Sequence, residues 1–251
     1  GTYAFYECTG LTSLSILNSV KSIGPYAFYG CTGLSSITFS SSLNLIGDNA
    51  FSGCSSLTSA QLPPSLLTIG RYAFNNCLEL ASVNIPSSVS LIGDNAFTRV
   101  KGPINVDLAN VVYSSYEGIL YNKARTILIQ CPTSKSGSFT IPAYVVSISA
   151  GAFYKCTGLT AVNLPVSLRS IGDQAFHYCS NLVSVNIPPA VSFIGSYAFA
   201  YCSQIMTIQS YQVSPLNFTP SYDIFWNVNK STSKLYVPFG TKVLYAAAAE
   251  W

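Results

Sequence analysis

Apolar side chains recur along this chain on two scales at once. Val83 and Ile85 flank the polar Asn84, an alternation of period two that predicts a strand buried on one side. The larger scale is set by the dipeptide Ala-Phe, which stands at Ala4-Phe5, Ala27-Phe28, Ala50-Phe51, Ala73-Phe74 and Ala96-Phe97, a constant 23-residue step. It returns at the same step at Ala152-Phe153, Ala175-Phe176 and Ala198-Phe199. In one copy the apolar positions are Ile69, Ala73, Phe74, Cys77, Leu80, Val83, Ile85 and Val89. Gly70 to Phe74 predicts a tight turn into a short helical or 3-10 piece. Asp48, Asp94, Asp173 and Ser196 follow the equivalent glycines and suit a helix N-cap, and Pro25 in that slot suits the first helical position.

A strict period of this length means one supersecondary unit per coil of a solenoid. A single unit buries too little apolar surface to offset the entropy of ordering it, so stability must come from stacking and from strand hydrogen bonds between coils. The repeated I-G-x-x-A-F-x-x-C-x-x-L, as in Ile69 to Leu80, resembles the BspA-type, or treponemal-type, leucine-rich repeat over nearly the whole chain. The resemblance implies a right-handed leucine-rich-repeat solenoid with a parallel β-sheet on its concave side, carried by proteins exposed on bacteria or some protists.

The period breaks once. Ala96 and Ala152 stand more than two regular steps apart, with no copy of the dipeptide between them. Within Tyr113 to Pro132 the sequence predicts a β-hairpin: a strand at Gly118 to Tyr121, a polar turn over Asn122 to Arg125, and a strand at Thr126 to Gln130. It reads either as a tolerated insertion or as an interaction element projecting from the side. After Ile208 the repeat ends. Ser231 to Trp251 is similar to the ending of BspA-type proteins of Bacteroidetes and predicts a capping strand at Leu235 to Pro238 and a short helix at Thr241 to Ala249. The expected organisation is a repeat block at 1–97 with a truncated start, an irregular insert at 98–138, a second block at 139–210 and a C-terminal cap at 211–251, as one continuous solenoid domain. The chain opens inside a repeat, without an initiator Met or signal pattern, and reads as a piece of a longer protein.

Composition narrows the function classes. Only 8% of the 251 residues are charged against 49% hydrophobic, which excludes a disordered chain. Ser, Thr, Asn, Gly and Pro interrupt every apolar run, so no membrane-inserting segment is expected. The formal net charge is +3 with scattered Lys and Arg, so there is no basic stripe for nucleic acid. Asn217-Phe218-Thr219 and Asn229-Lys230-Ser231 match N-glycosylation sequons, relevant only in a eukaryotic source.

The cysteines are the first candidates for chemistry. Cys8, Cys31, Cys54, Cys77, Cys156, Cys179 and Cys202 each lie three residues after the repeated Phe, and in a solenoid they should form a buried column. Val100 takes that slot in the fifth copy, and valine replaces a packing group but not a ligand or nucleophile. The favoured reading is therefore structural thiols, with disulfides between coils and zinc as the alternatives. Cys131 lies outside the column and its state is open. No metal or cofactor is implied. His177 reads as an exposed choice at a variable position, and no catalytic group can be assembled from the few acids.

Two surfaces remain. Between buried positions of the predicted strands lie Ser15, Thr38, Gln61, Asn84, Thr140, Asn163, Asn186 and Gln209, with Asp107 expected in the same row. Ser36, Ser59, Ser82 and Ser184 run beside them. This is a field of small neutral hydrogen-bonding groups, either a solubilising surface with amide ladders or a broad contact surface. An aromatic edge of Tyr26, Tyr29, Tyr154, Tyr178 and Tyr201 is the second candidate. The resemblance implies a non-catalytic module at the cell surface, extracellular or on the outer surface, that mediates adhesion to host matrix or other surface proteins. A structural envelope or spacer role and a glycan-binding accessory role are the alternatives.

Overall fold

The computed structural model describes residues 1–216 and 222–248. The sequon at Asn217, the end of the expected C-terminal helix and Trp251 lie outside the described residues. The chain forms two compact units, Gly1–Ala124 with Gln130–Ser134, and Arg125–Ile129 with Lys135 onward.

In the first unit every full coil carries two strands, where the sequence pattern predicted one. The expected strands are β1 (Ser13–Ser15), β3 (Ser36–Thr38), β5 (Ser59–Ala60), β7 (Val83–Ile85) and β9 (Ile104–Val106). They pair in parallel as β1-β3-β5 and β7-β9. The additional strands, β2 (Ser22–Ile23), β4 (Leu45–Ile46), β6 (Thr68–Ile69) and β8 (Leu91–Ile92), form a second parallel sheet just before each repeated glycine. Strands this short are too brief for alternation to register in a sequence. In both sheets the register equals the repeat, Ser13 opposite Ser36 and Ile23 opposite Ile46.

The second unit repeats the plan. Ile127 and Leu128 of β12 (Ile127–Gln130) open a parallel sheet that continues through β14 (Ser147–Ile148), β16 (Ser170–Ile171) and β18 (Phe193–Ile194). The other strands are β13 (Gly137–Thr140) with β15 (Leu159–Asn163), and β17 (Ser184–Ile187) with β19 (Thr207–Ser210) and β20 (Lys234–Tyr236).

The turn after each repeated glycine contains no helical residue, against the short helical or 3-10 piece expected there. The residue before the Ala and the residue two after the Phe both have positive φ: Tyr72 at 54° and Asn76 at 59°, Tyr197 at 57° and Tyr201 at 59°. A left-handed residue every few positions breaks a right-handed helical run. The backbone N–H groups instead alternate. Those of Ala27 and Tyr29 bond three residues back to Gly24 and Tyr26, whereas those of Tyr26 and Phe28 bond to Asp48 and Ala50 of the next coil. The turn is thus itself a hydrogen-bonded seam between coils.

Two sequence readings change with this geometry. Asp48 and Asp173 do not cap their own turn. Each carboxylate accepts the backbone N–H of the next coil, Arg71 at 2.7 Å and Ser196 at 2.8 Å. The repeated glycines answer to close coil approach: a Cβ on Gly70 would lie 2.5 Å from the backbone N of Asp48.

The core is a ladder of phenyl rings. Phe5, Phe28, Phe51, Phe74 and Phe97 stack at centroid spacings of 5.1, 5.2, 5.3 and 5.7 Å in the first unit. Phe153, Phe176 and Phe199 continue at 4.8 and 5.1 Å in the second. This spacing follows the separation of adjacent strands, about 4.8 Å.

The insert holds an antiparallel hairpin, but β10 (Tyr113–Tyr116) is a strand the sequence reading missed; it pairs with β11 (Ile119–Asn122) around Glu117-Gly118. The buried Asn110 anchors its start. Its amide donates to the carbonyls of Pro86 and Val89 and accepts from the N–H groups of Val112 and Tyr113, all at 2.8–2.9 Å.

The repeat also runs one coil further than its sequence pattern. Ile224, Phe225 and Val228 take the Ala, Phe and Cys slots and are 0%, 4% and 6% exposed. Phe225 stacks on Phe199 at 5.6 Å, and the carbonyls of Tyr222, Ile224 and Trp226 accept from Tyr197, Phe199 and Tyr201, the pattern that also joins the coils of Phe153 and Phe176. Asp223 and Asn227 supply the two positive-φ residues, at 48° and 59°. After it, β20 continues the sheet and α1 (Lys242–Ala246) follows, with Tyr245 buried and its hydroxyl donating to the carbonyl of Gln212.

Candidate functional site

The cysteine column is interior. Cys31, Cys54, Cys77, Cys156, Cys179 and Cys202 are fully buried, and so is Val100 in their slot. Cys8 is the exception and is exposed. The buried thiols do more than fill space. Sγ of Cys31, Cys54, Cys77, Cys179 and Cys202 donates to the carbonyl oxygen of the Phe 26 residues earlier, at 3.0, 3.2, 3.3, 3.1 and 3.1 Å. That oxygen also accepts an N–H from within its own coil, as Phe28 does from Cys31. Burial pushes the Cys54 and Cys202 thiols up to about 12, and for Cys54 the neighbouring Cys31 thiol acts in the same direction. Cys77 and Cys179 are raised well above the usual thiol range for the same reason. At neutral pH these groups stay protonated, so they lack the thiolate that a cysteine nucleophile requires. Cys131 is buried too, its Sγ 3.6 Å from the carbonyl of Pro132. Among the described residues no group of three or more His, Cys, Asp or Glu could hold a metal ion.

The polar strand rows are in register within each unit. In the first, Ser15 lies opposite Thr38, Ser36 opposite Ser59, and all four are exposed. Gln61 and Asn84 are exposed as well. The partner of Asn84 is Asn105, not Asp107 as expected; Nδ2 of Asn105 donates to Oδ1 of Asn84 at 3.2 Å. Asp107 lies beyond the strand, where its carboxylate accepts the N–H of Ala109 in a turn. The coil entering the insert is shorter than the regular repeat, which the sequence count could not register. In the second unit Asn163 donates to Oγ1 of Thr140 at 3.0 Å, and Asn186 lies opposite Gln209. That row ends on Tyr236, opposite Gln209 and exposed, a member that sequence reading missed because its coil was hidden.

The tyrosines gather into one cluster in each unit. In the first, Tyr26 stacks on Tyr3 at 5.0 Å and Tyr29 on Tyr6 at 5.1 Å. In the second, Tyr178 stacks on Tyr201 at 4.3 Å and meets Tyr154 edge-on at 6.3 Å. The ammonium of Lys155 lies 4.9 Å from the Tyr178 ring centre. His177 belongs to this cluster, where the sequence suggested an exposed position. It is half-buried, 4.7 Å from the Tyr178 ring and 5.4 Å from that of Tyr201. Both its nitrogens are buried without a hydrogen-bond partner. Burial, and then the positive charge of Lys155, hold its pKa below the ordinary histidine value. Rings stacked in this way spend their faces on one another and present edges.

Parallel strands in register at each repeat, over a ladder of Phe rings, define a leucine-rich-repeat solenoid. The BspA type leucine rich repeat region matches residues 1–123 and 131–239 with six copies, and the chain belongs to that family. Among solved structures it is similar to a leucine-rich repeat protein of Eubacterium ventriosum, with a TM-score of 0.76 and 29% identity over 84% of this chain. The chain spans 56% of that protein's length. The fold also matches the pneumococcal vaccine antigen PcpA, with a TM-score of 0.63 and 21% identity over 94% of this chain and 76% of that one. A leucine rich cell surface protein of Faecalibacterium prausnitzii matches with a TM-score of 0.59 and 22% identity, over 94% and 81% of the two chains. Among curated proteins compared by sequence, none matches. Family and neighbours together make this a repeat module of the protein-interaction kind. No helix among the described residues is long and apolar enough to cross a membrane.

Proposed function

We propose that the chain is a non-catalytic binding module of a cell-surface protein, engaging other proteins in adhesion through its polar strand rows. The observation that carries this reading is the exposed, in-register row of Ser, Thr, Asn and Gln held between buried neighbours. Asn84 and Asn105, for example, each lie between two buried residues of their strand. Backbone pairing holds these groups in place before any partner arrives, so little ordering entropy is lost on contact and many weak hydrogen bonds add. The surface location is supported by the family and by the fold match to the leucine rich cell surface protein of Faecalibacterium prausnitzii.

The test is solid-phase binding of the purified chain to a panel of extracellular matrix and cell-surface proteins. Saturable binding to at least one is expected, weakened tenfold or more by Thr38→Arg combined with Gln61→Arg. Leu91→Arg on the second sheet, where the side chain is 55% exposed, should leave it unchanged. No saturable binding, or binding indifferent to the row substitutions, would reject the reading in favour of a spacer.

A further inference from the structure

The hidden last coil creates a site of a different kind from the strand rows. Tyr201 is the last ring of its stack, and its partners His177 and Tyr178 both belong to the preceding coil. The ring therefore has one face turned toward the following coil. There it lines a depression of about 400 Å³ with Asp223, Phe225, Trp226, Asn227 and Lys230. That volume falls within the range of about 300–1,000 Å³ common for small-ligand sites.

Trp226 is 52% exposed although its backbone is locked in place, its carbonyl accepting from Tyr201 at 2.8 Å and its N–H donating to Asp223 at 3.0 Å. Among the described residues, no hydrogen bond or ion pair engages the side chains of Asp223, Trp226, Asn227 or Lys230. The residues lining this one depression thus carry a carboxylate, a carboxamide, an indole N–H and an ammonium beside exposed aromatic surface, unspent on the protein itself. The left-handed backbone at Asp223 and Asn227 directs these two side chains from either end of the same tight turn.

We infer that this depression is a binding site for a neutral saccharide. A pyranose ring offers an apolar C–H face for the indole and phenol rings, and hydroxyls that both donate and accept. Asp223 accepts from hydroxyls, Lys230 and the indole N–H of Trp226 donate to them, and Asn227 does both. One acid and one base cancel, so the site holds no net charge to select an ionic ligand. An apolar peptide side chain would use the rings but leave four polar groups without partners, which disfavours it. The site involves no residue of the strand rows, and it stands or falls independently of protein binding there.

The experiment titrates the purified chain with neutral oligosaccharides, namely gluco-, galacto-, manno- and N-acetylglucosamine oligomers, by calorimetry and by tryptophan fluorescence. At least one should bind saturably. Trp226→Ala should abolish that binding, and Asp223→Asn should weaken it tenfold or more while leaving the melting temperature unchanged. Gln61→Arg in the strand row should have no effect. The inference is overturned if none of these sugars binds, or if Asp223→Asn and Trp226→Ala, both folded by circular dichroism, bind as the parent does. It is overturned equally if charged but not neutral oligosaccharides bind.

Discussion

The thiol of Cys54 donates a hydrogen bond to the carbonyl oxygen of Phe28, 26 residues earlier and one coil away, at 3.2 Å. The same contact joins Cys77 to Phe51 and Cys202 to Phe176. The cysteine is thus a packing group with a directional contact, too weak to make sulfur obligatory.

Cys54→Val should therefore lower stability by about 1 kcal/mol or less, since valine already serves at position 100 and an S–H donor is weak. Cys54→Asp should cost more than about 4 kcal/mol or prevent folding, because a carboxylate would be buried without a partner. Urea unfolding of both variants checks this, and similar tolerance of the two would mean the column is not dry.

Alkali should destabilise the protein through the same thiols. Their folded pKa is raised, to about 12 for Cys54 and Cys202, so between the ordinary thiol value and that limit the unfolded chain releases protons that the folded chain keeps. The stabilisation is fully present below the ordinary thiol pKa and is lost as pH rises, by about 1.4 kcal/mol per pH unit for each thiol. Melting temperatures measured from neutral pH to about pH 10.5 should fall, and less steeply for Cys54→Val. A disulfide-exchange reagent at mildly alkaline pH should modify one thiol rapidly, Cys8, and the rest of the eight cysteines only on unfolding.

Gly70→Ala should destabilise by about 1–3 kcal/mol, the usual penalty for forcing atoms into a packed site. The new Cβ would meet backbone of the preceding coil at 2.5 Å, and backbone cannot swing away as a side chain would. Gly10→Ala is the control, with nothing within 4 Å of the added carbon, and should stay within about 0.5 kcal/mol of the parent. Chemical denaturation of the pair gives the comparison.

His177 is the chain's single histidine, so its ring protons can be followed by NMR without assignment ambiguity. Burial and Lys155 lower its folded pKa, and its midpoint should fall below 6.5. The unfolded chain then binds the proton more readily. The associated stability is present above pH 6.5 and is lost as pH falls through the folded pKa. Lys155→Met should move the midpoint upward. A midpoint at or above 6.5 in the parent would show that the imidazole is solvated.

Phe225→Ala tests the hidden coil. Its ring joins the phenyl ladder of the second unit against Phe199, so truncation should cost about 3–5 kcal/mol, as for other buried Phe residues. A loss below about 1 kcal/mol would mean that Ile224 to Val228 are not a working coil.

Much of this molecule was legible because stacked coils translate sequence period directly into spatial register. Ser36 lies opposite Ser59 because both strands obey one constant step, and the Phe ladder and thiol column follow from the same rule. Legibility failed wherever the step changed. Asn105 replaced Asp107 beside Asn84 because the coil entering the insert is shorter than the others. The last coil escaped notice because Ile224 and Val228 stand where Ala and Cys mark the others, and the step from Ala198 to Ile224 is longer than the regular one.

The chain's own pattern determined which side chains face inward, since a fixed apolar period admits one winding that buries them all. It also determined that the cysteines pack, through the single valine at position 100. Only the tertiary structure decided which tyrosine faces are used up in stacking, that His177 is enclosed by rings, and that Asp48 serves the coil after its own. It alone brought Tyr201 against Trp226 across a disguised coil. These are relations between neighbouring coils, set by how closely their backbones approach. A repeat in one dimension records which residues are equivalent, but not which atoms meet across the gap between them.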